Sequence, residues 1–353
     1  MYNFTVKSSI HDYTVTFVDD FSPVLKEQLQ EGDVIIIDGK VKSLYNSKLD
    51  GILAETKHIV VEADETRKSY QGLIPIIENL IENGFRKNHR LIAVGGGITQ
   101  DVTAFTASIM YRGVNWLFFP TTLLAQGDSC IGSKTSINFG KYKNQVGGFY
   151  PPNFIFIDPA FLDTLSPLDF KSGLGEMAHY FVVAGEEDFN RYKREYPEVF
   201  KDKKVLAGLI ARSLEIKKSY IEIDEFDRSQ RQVFNYGHSF GHAIESLTDY
   251  RVPHGIAVSY GMDMANFVSV KLGYISESVR LHIRELLEQI WEGTTIDDIS
   301  IEKFKTALSK DKKNVGAELR LILNKGIGKI FKTGMKLDEQ FSQWLQEYFE
   351  TQL

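Results

Sequence analysis

The sequence predicts an α/β domain followed by a mainly helical one. Short apolar, β-branched runs alternate with amphipathic helical patterns through the first half, and from about residue 155 long helical patterns take over. No internal repeat, low-complexity linker or charge block lies between the halves.

In chain order, VTFVDD (15–20) reads as a strand and FSPVLKEQLQEG (21–32) as a helix. DVIIIDG (33–39) and HIVVEAD (58–64) are strand runs, and SYQGLIPIIENLIENGF (69–85) is helical. RLIAVGGG (90–97), the helical ITQDVTAFTASI (98–109) and WLFFPTT (116–122) continue the alternation. Such a pattern makes a parallel sheet with helices on both faces, whose ligands bind at the carboxyl ends of the strands. Asp38, Glu65, Gly95–Gly97 and Thr121–Thr122 fall at those ends. A glycine triplet after a strand either admits a phosphate to a helix N-terminus or makes a tight turn. The density of Gly, Ser and Thr in 119–152 predicts a loop, which carries Asp128, Lys134, Lys143 and Asn144. Its lysines either reach an anionic ligand or face solvent. FIFIDPAFLDTL (154–165) holds one more short strand. Helical patterns follow at 167–185, 204–225, 229–247, 254–273 and 276–291, then a strand pair in 317–334. Two domains without a flexible linker suggest a cleft for a ligand.

The 353 residues suffice for two domains, and 43% hydrophobic with 25% charged residues is ordinary for a globular protein. The net charge of −6 argues against nucleic acid as a partner. The single cysteine, Cys130, excludes an internal disulfide and fits either a reducing cytoplasm or merely a chain that needs no disulfide. No signal-type apolar core opens the chain, and no run approaches the ~20 apolar residues of a membrane span. The expected location is the cytoplasm.

Chemistry concentrates in the helical half. His238, His242 and His254 fall within seventeen residues, and only eight histidines exist in the chain. Positions i and i+4 share a helix face, so His238 and His242 can point into one space. They are either metal ligands or histidines satisfied in caps and core. SGLGEMAHYF sets Glu176 one helical turn from His179, and a carboxylate with two histidines is a zinc set with an open position. Arg231, Asn235, His238 and His242 follow spacings of four, three and four, which predicts one polar stripe on one helix, as solvated face or site wall. Lys217 lies on the preceding helix. Arg and Lys near a buried metal recognise carboxylate or phosphate.

Taken together, these segments resemble one family. GGGITQD (95–101), MYRGV (110–114), PTTLLAQGDSCIGSKTSIN (120–138), KNQVGGFYPP (143–152), DPAFLDTL (158–165), SGLGE (172–176), NYGHSFGHAIE (235–245) and HG (254–255) are similar, in order, to 3-dehydroquinate synthases, a branch of the sugar phosphate cyclases. The similarity runs from about 36 to 330. It implies an α/β plus α fold: an N-terminal Rossmann-like NAD-binding domain over 1–160 and a C-terminal, mainly helical metal- and substrate-binding domain over 161–353. It implies Glu176, His238 and His254 as ligands of zinc, or of cobalt. NAD contacts would come from Glu65, Lys68, Gly97, Asp101, Thr121, Thr122, Lys143, Phe161 and Thr164, with Asp38 and Gly96 at the strand ends beside them. Substrate and catalytic positions would be Asp128, Lys134, Asn144, His179, Lys217, Arg231, Asn235, His242 and Lys312. Of these, His242, Asn235, Asn144 and Lys312 would hold a phosphate, and Lys134, Lys217 and Arg231 a carboxylate. Arg112 would reach the neighbouring site of a homodimer. The implied chemistry is transient oxidation by NAD, loss of phosphate, reduction and intramolecular aldol closure, with 3-deoxy-arabino-heptulosonate 7-phosphate or a close analogue as substrate.

Three departures stand against that pattern. His179 replaces the usual lysine, Ile256 the usual glutamate of HGEAV, and Ser133 a usual glycine. They favour, as an alternative, a divergent cyclase for another sugar phosphate in secondary metabolism or surface-glycan synthesis. A metal-dependent polyol dehydrogenase, giving net NADH, is the second alternative. Retention of all three proposed ligands speaks against a non-catalytic relative.

Overall fold

The computed structural model describes residues 2–140, 142–309 and 318–353. Among the described residues, nine strands form in the first half: β1 (Asn3–Val6), β2 (Tyr13–Phe17), β3 (Val34–Asp38), β4 (His58–Val61), β5 (Leu91–Gly95), β6 (Trp116–Pro120), β7 (Lys134–Phe139), β8 (Tyr142–Phe149) and β9 (Phe154–Ile157). Seven pair in the order β1-β2-β9-β6-β5-β3-β4. Only β1 and β2 run antiparallel; every other neighbour pair is parallel. The central strands β5 and β6 are buried at every residue, as a parallel sheet covered on both faces requires. Phe21, Leu25, Leu49 and Leu53 pack from helices onto Ile35, Ile37, Ile92 and Val94 to form one core. This is the predicted α/β architecture, with its expected doubly covered sheet.

The segment 119–152 is not the open loop predicted for it. Ala125–Ser129 forms a turn of π-helix, and β7 pairs with β8 as a hairpin. Thr135 and Ile137 are buried while Lys134 is exposed. The strand alternation was hidden among small polar residues, because here a threonine takes a core position.

The residues divide into two compact units. The first comprises the chain up to Leu165 together with Lys217–Phe226; the second holds Ser166–Ile216 and the chain from Asp227 onward. Within the first unit, Glu225 accepts hydrogen bonds from Ser9 N and Oγ at 2.8 and 2.7 Å, and Glu222 accepts from Lys7 N at 2.9 Å. Nothing in the sequence pattern signals this return of the chain.

The second unit is built from helices, including Pro167–Ala184, His238–Leu247, His254–Lys271, Glu277–Trp291 and Glu339–Thr351, with one hairpin of β10 (Glu318–Asn324) and β11 (Ile330–Lys336). The predicted single helix over 229–247 is broken. Gln230–Asn235 is a 3₁₀ turn, and the α-helix starts afresh at His238. Gly237 makes the break at φ 82°, and a Cβ there would lie 2.5 Å from Val258 O. Arg231 and Asn235 therefore do not share a helix stripe with His238 and His242.

Two further contacts set the helix positions. A Cβ on Gly255 would fall 1.8 Å from Ser172 O, and one on Gly175 would fall 2.3 Å from Gly255 O, so these helices touch backbone to backbone. In the middle of the His254–Lys271 helix, the fully buried Asp263 carboxylate accepts from Arg280 at 3.0 and 2.9 Å, Arg284 at 3.1 Å and Tyr348 OH at 2.8 Å. A buried charge persists only when satisfied in this way. No helix is long and apolar enough to cross a membrane, among the described residues.

Candidate active site

Glu176 lies inside the Pro167–Ala184 helix, and His238 and His254 are the first residues of their helices. Glu176 Oε1 is 3.4 Å from His238 Nε2, and Oε2 is 3.3 Å from His254 Nε2. The other ring nitrogens are committed elsewhere. His238 Nδ1 faces Tyr236 O at 3.3 Å, and His254 Nδ1 faces Glu245 Oε2 at 2.9 Å. Protons placed on both Nδ1 atoms by these acceptors leave both Nε2 lone pairs turned toward the carboxylate. Glu176 Oε2 is buried and accepts no hydrogen bond. Lone pairs facing one another across such distances are reconciled by a proton or by a metal cation. The three ligand atoms all lie within 4.8 Å of one another. One carboxylate and two imidazoles are a zinc donor set with an open position, so these residues fit the metal.

Electrostatics agree with that fit. Burial alone would raise the Glu176 carboxyl, yet the imidazoles of His238 and His254 overcome it and hold it well below the usual carboxylate range. Burial would lower His254, yet Glu245 and Glu176 on either side hold it well above the usual imidazole value. The negative potential that draws a proton to His254 also draws a metal ion.

The remaining expected residues of this unit take different places. His242 is exposed, with its ring 5.6 Å from that of His238 and 5.7 Å from that of His254. His179 is fully buried against Tyr180 and Phe234, with Nδ1 4.0 Å from Glu176 Oε1. It does not join the three-ligand group. Arg231 is buried, and Asn235 donates to Gln232 O at 3.1 Å. Lys312 lies outside the described residues. Ile256 is fully buried in the helix that His254 begins.

In the first unit, Lys217 Nζ donates to Asp128 Oδ1 and to Asp128 O, both at 2.7 Å. The π-helical turn is what carries Asp128 to this meeting. Lys68 pairs with Asp101 at 2.5 Å, and Asp101 also accepts from Ser136 N at 3.2 Å. Burial pushes the Asp101 carboxyl above its usual value even beside the Lys68 ammonium. Glu65 Oε1 takes a hydrogen bond from Asn138 at 2.9 Å and lies 3.7 Å from Lys143 Nζ. Gly96 precedes the Gly97–Ile109 helix with no side chain capping it, and the space beside Gly97 is open, with Ser129 Oγ 4.0 Å from where a Cβ would stand. That leaves first-turn N–H groups for an anion, as a dinucleotide site requires. Thr121 is buried just beyond β6, and Thr122 Oγ1 accepts from Ala125 N.

Other positions are occupied by structure. Asp38 Oδ1 caps the Gly39–Leu44 helix, accepting from Lys40 N at 2.7 Å. The Phe161 ring packs on Phe21, with centroids 4.4 Å apart, and Thr164 Oγ1 meets Tyr45 OH at 3.1 Å. Lys134 opens β7 on the exposed side, and Asn144 adopts φ 53° within β8. Arg112 is exposed at φ 64°, between Tyr111 at 50° and Gly113 at 111°. Ser133 stands at φ 63°, a conformation that glycine adopts freely and serine does not. The Cys130 thiol is buried and pushed up to about 12, so it is no nucleophile.

Sequence reasoning missed Glu245 and Asn138. Glu245 follows His242 by one helical turn, and that i, i+3 spacing is the signal that could have found it. Asn138 ends the 120–138 segment that carries the family resemblance, but the pattern there points to no contact of its own.

Residues 58–172 match the family model for the 3-dehydroquinate synthase N-terminal region, and 173–314 match that for the C-terminal region. The 3-dehydroquinate synthase of Thermoanaerobacter pseudethanolicus is 33% identical over 328 residues, which cover 91% of this chain and 92% of that one. Among solved structures, 2-epi-5-epi-valiolone synthase from Streptomyces hygroscopicus subsp. jinggangensis, with NAD+ and Zn2+ bound, aligns with a TM-score of 0.86 at 22% identity over 97% of each chain. 2-Deoxy-scyllo-inosose synthase, complexed with carbaglucose-6-phosphate, NAD+ and Co2+, aligns at 0.83 and 22% over 98% of this chain and 99% of that one. At these identities the two structures share the fold.

The Glu245–His254 contact makes one outcome measurable. Replacing Glu245 by Ala removes both the acceptor and its charge, and zinc affinity falls roughly 10–100-fold. Glu245→Gln keeps an acceptor and loses less. Chelator competition on the purified chain measures both; equal zinc affinity in all three forms would contradict the role assigned to Glu245.

Proposed function

The chain belongs to the 3-dehydroquinate synthase family, and on that premise we propose that it is a sugar phosphate cyclase acting on 3-deoxy-arabino-heptulosonate 7-phosphate or a close analogue. The product is a carbocycle and phosphate is the leaving group. The convergence of Glu176, His238 and His254, with both Nδ1 atoms already engaged, is the observation that carries this reading. When bound, NAD supplies a hydride acceptor that is restored within each turnover, and zinc or cobalt supplies a Lewis acid for a ring hydroxyl.

The protein's own groups bind and orient. Glu176, His238 and His254 hold the metal. Glu65, Lys68, Gly96, Gly97, Asp101, Thr121, Thr122 and Lys143 hold the dinucleotide, and Asp38, Phe161 and Thr164 support the same strand ends. Lys134, Lys217 and Arg231 are cations suited to the carboxylate of an acidic substrate. Asp128 fixes the Lys217 side chain through two hydrogen bonds, so that it is directed before substrate arrives. Asn144, Asn235, His242 and Lys312 receive the phosphate. The chain works in the cytoplasm, which suits its single, buried cysteine.

His179 supports a second reading, a cyclase for another sugar phosphate. Its ring is packed between aromatic neighbours, and it cannot extend as the lysine of the family pattern does. We also infer a homodimer. Tyr70, Ile74 and Ile81 on one helix, Ile109 at the end of the next and Tyr111 just before Arg112 are all more than a third exposed. Their apolar surface is of the kind that pairs with a second copy.

Three measurements test these statements. The chain incubated with zinc, catalytic NAD and a panel of sugar phosphates releases free phosphate without net NADH; stoichiometric NADH with no phosphate would make it a polyol dehydrogenase instead. His179→Lys raises turnover of the heptulosonate phosphate; unchanged or lower turnover removes position 179 as the switch. Sedimentation gives a dimer, and Arg112→Ala lowers turnover while leaving the dimer intact. A monomer at assay concentration overturns the pairing.

A further inference from the structure

The β7–β8 hairpin is irregular at one place. Ile137 pairs with Val146 and Phe139 with Tyr142, so Asn138 alone faces Lys143, Asn144 and Gln145. Bulges of this kind re-aim side chains and recur beside active sites. Here the bulge presents Lys143 and Asn144. Asn138 is 8% exposed, and both polar atoms of its side chain are engaged. Its Oδ1 accepts from Asn144 N at 2.9 Å. Its Nδ2 donates to Glu65 O at 3.1 Å and to Glu65 Oε1 at 2.9 Å. Its backbone N donates to Lys68 O at 2.7 Å.

We propose that Asn138 is a positioning residue that locks the Glu65–Lys68 turn to the bulge carrying Lys143 and Asn144, so that two separate segments grip the dinucleotide as one surface. The proposal rests on the reading that Glu65, Lys68 and Lys143 hold NAD. A carboxamide suits the position because it accepts on one atom and donates twice from the other. The acceptor pairs the Asn144 N–H that the bulge removes from the ladder, and that residue holds the left-handed backbone conformation, which asparagine tolerates better than most side chains. The donors fix the Glu65 carboxylate, which also faces the Lys143 ammonium. Aspartate would keep the first function and lose the second, with a carboxylate set against Glu65.

Two variants of the full chain test this, with the NAD dissociation constant read by calorimetry and amide exchange over 142–149 by mass spectrometry. Asn138→Ala weakens NAD roughly tenfold and speeds exchange across the bulge. Asn138→Asp weakens NAD at least as much but keeps the Asn144 amide protected. Wild-type NAD affinity and protection in a folded Asn138→Ala chain overturn the proposal. So does a lower melting temperature with both readings unchanged, since that marks a merely structural residue. If the wild-type chain binds no NAD, the dinucleotide reading fails, and exchange over 142–149 in Asn138→Ala still decides whether Asn138 holds the bulge.

Discussion

Backbone-to-backbone contact between helices is the constraint on which the metal-ligand geometry depends. Gly175 and Gly255 lie at the touching point of two helices, and each adjoins a ligand, Glu176 or His254. Gly237 does the same for His238 against the backbone of the His254–Lys271 helix. Helices with ordinary side chains between them keep axes about 8–10 Å apart. Three glycines let these backbones touch, and beside those contacts the carboxylate and two imidazoles gather with their ligand atoms within 4.8 Å of one another.

Proximity alone would be unstable, because it gathers a buried carboxylate and two lone pairs. The surrounding hydrogen bonds resolve this. Tyr236 O and Glu245 fix the imidazole tautomers, and the histidines keep Glu176 ionised against burial. The site is thus organised to carry negative charge inward, which only a proton or a cation can balance. Asp263 repeats the arrangement lower in the same helix, where two arginines and a tyrosine provide the balance from within the chain.

Much of this was legible in the sequence. The buried strands announced themselves because a parallel sheet covered on both faces admits little but Val, Ile, Leu and Phe. The clustered histidines pointed to a metal for the equally physical reason that imidazoles are scarce and were concentrated. What escaped notice depends on contacts between distant segments. The hairpin hid because Thr135 fills a core position and the bulge blurs the alternation. The 229–247 pattern looked like one helix because periodicity does not register that Gly237 is pressed against another backbone. His242 and His238 share a helix yet differ in exposure, so the i, i+4 spacing could not tell which of them faces Glu176. Glu245 and Asn138 act through neighbours that only folding supplies.

The return of Lys217–Phe226 to the first unit bears on how the chain is made. A ribosome releases residues in order, and domains tend to fold as they emerge. Here the sheet, from β1 to β9, is complete by residue 157, but the partners of Ser9, Lys7 and Asp128 are synthesised some sixty residues later or more. Until then the Asp128 carboxylate waits without its ammonium, and the π-helical turn that carries it is held only by its contacts within the sheet half, such as Gln126 to Pro120 O and Asp158 O. The first unit therefore reaches its final form only after the first stretch of the second, Ser166–Ile216, has been translated. Cutting the gene at the apparent domain boundary would yield a sheet without the lysine that Asp128 holds by two hydrogen bonds.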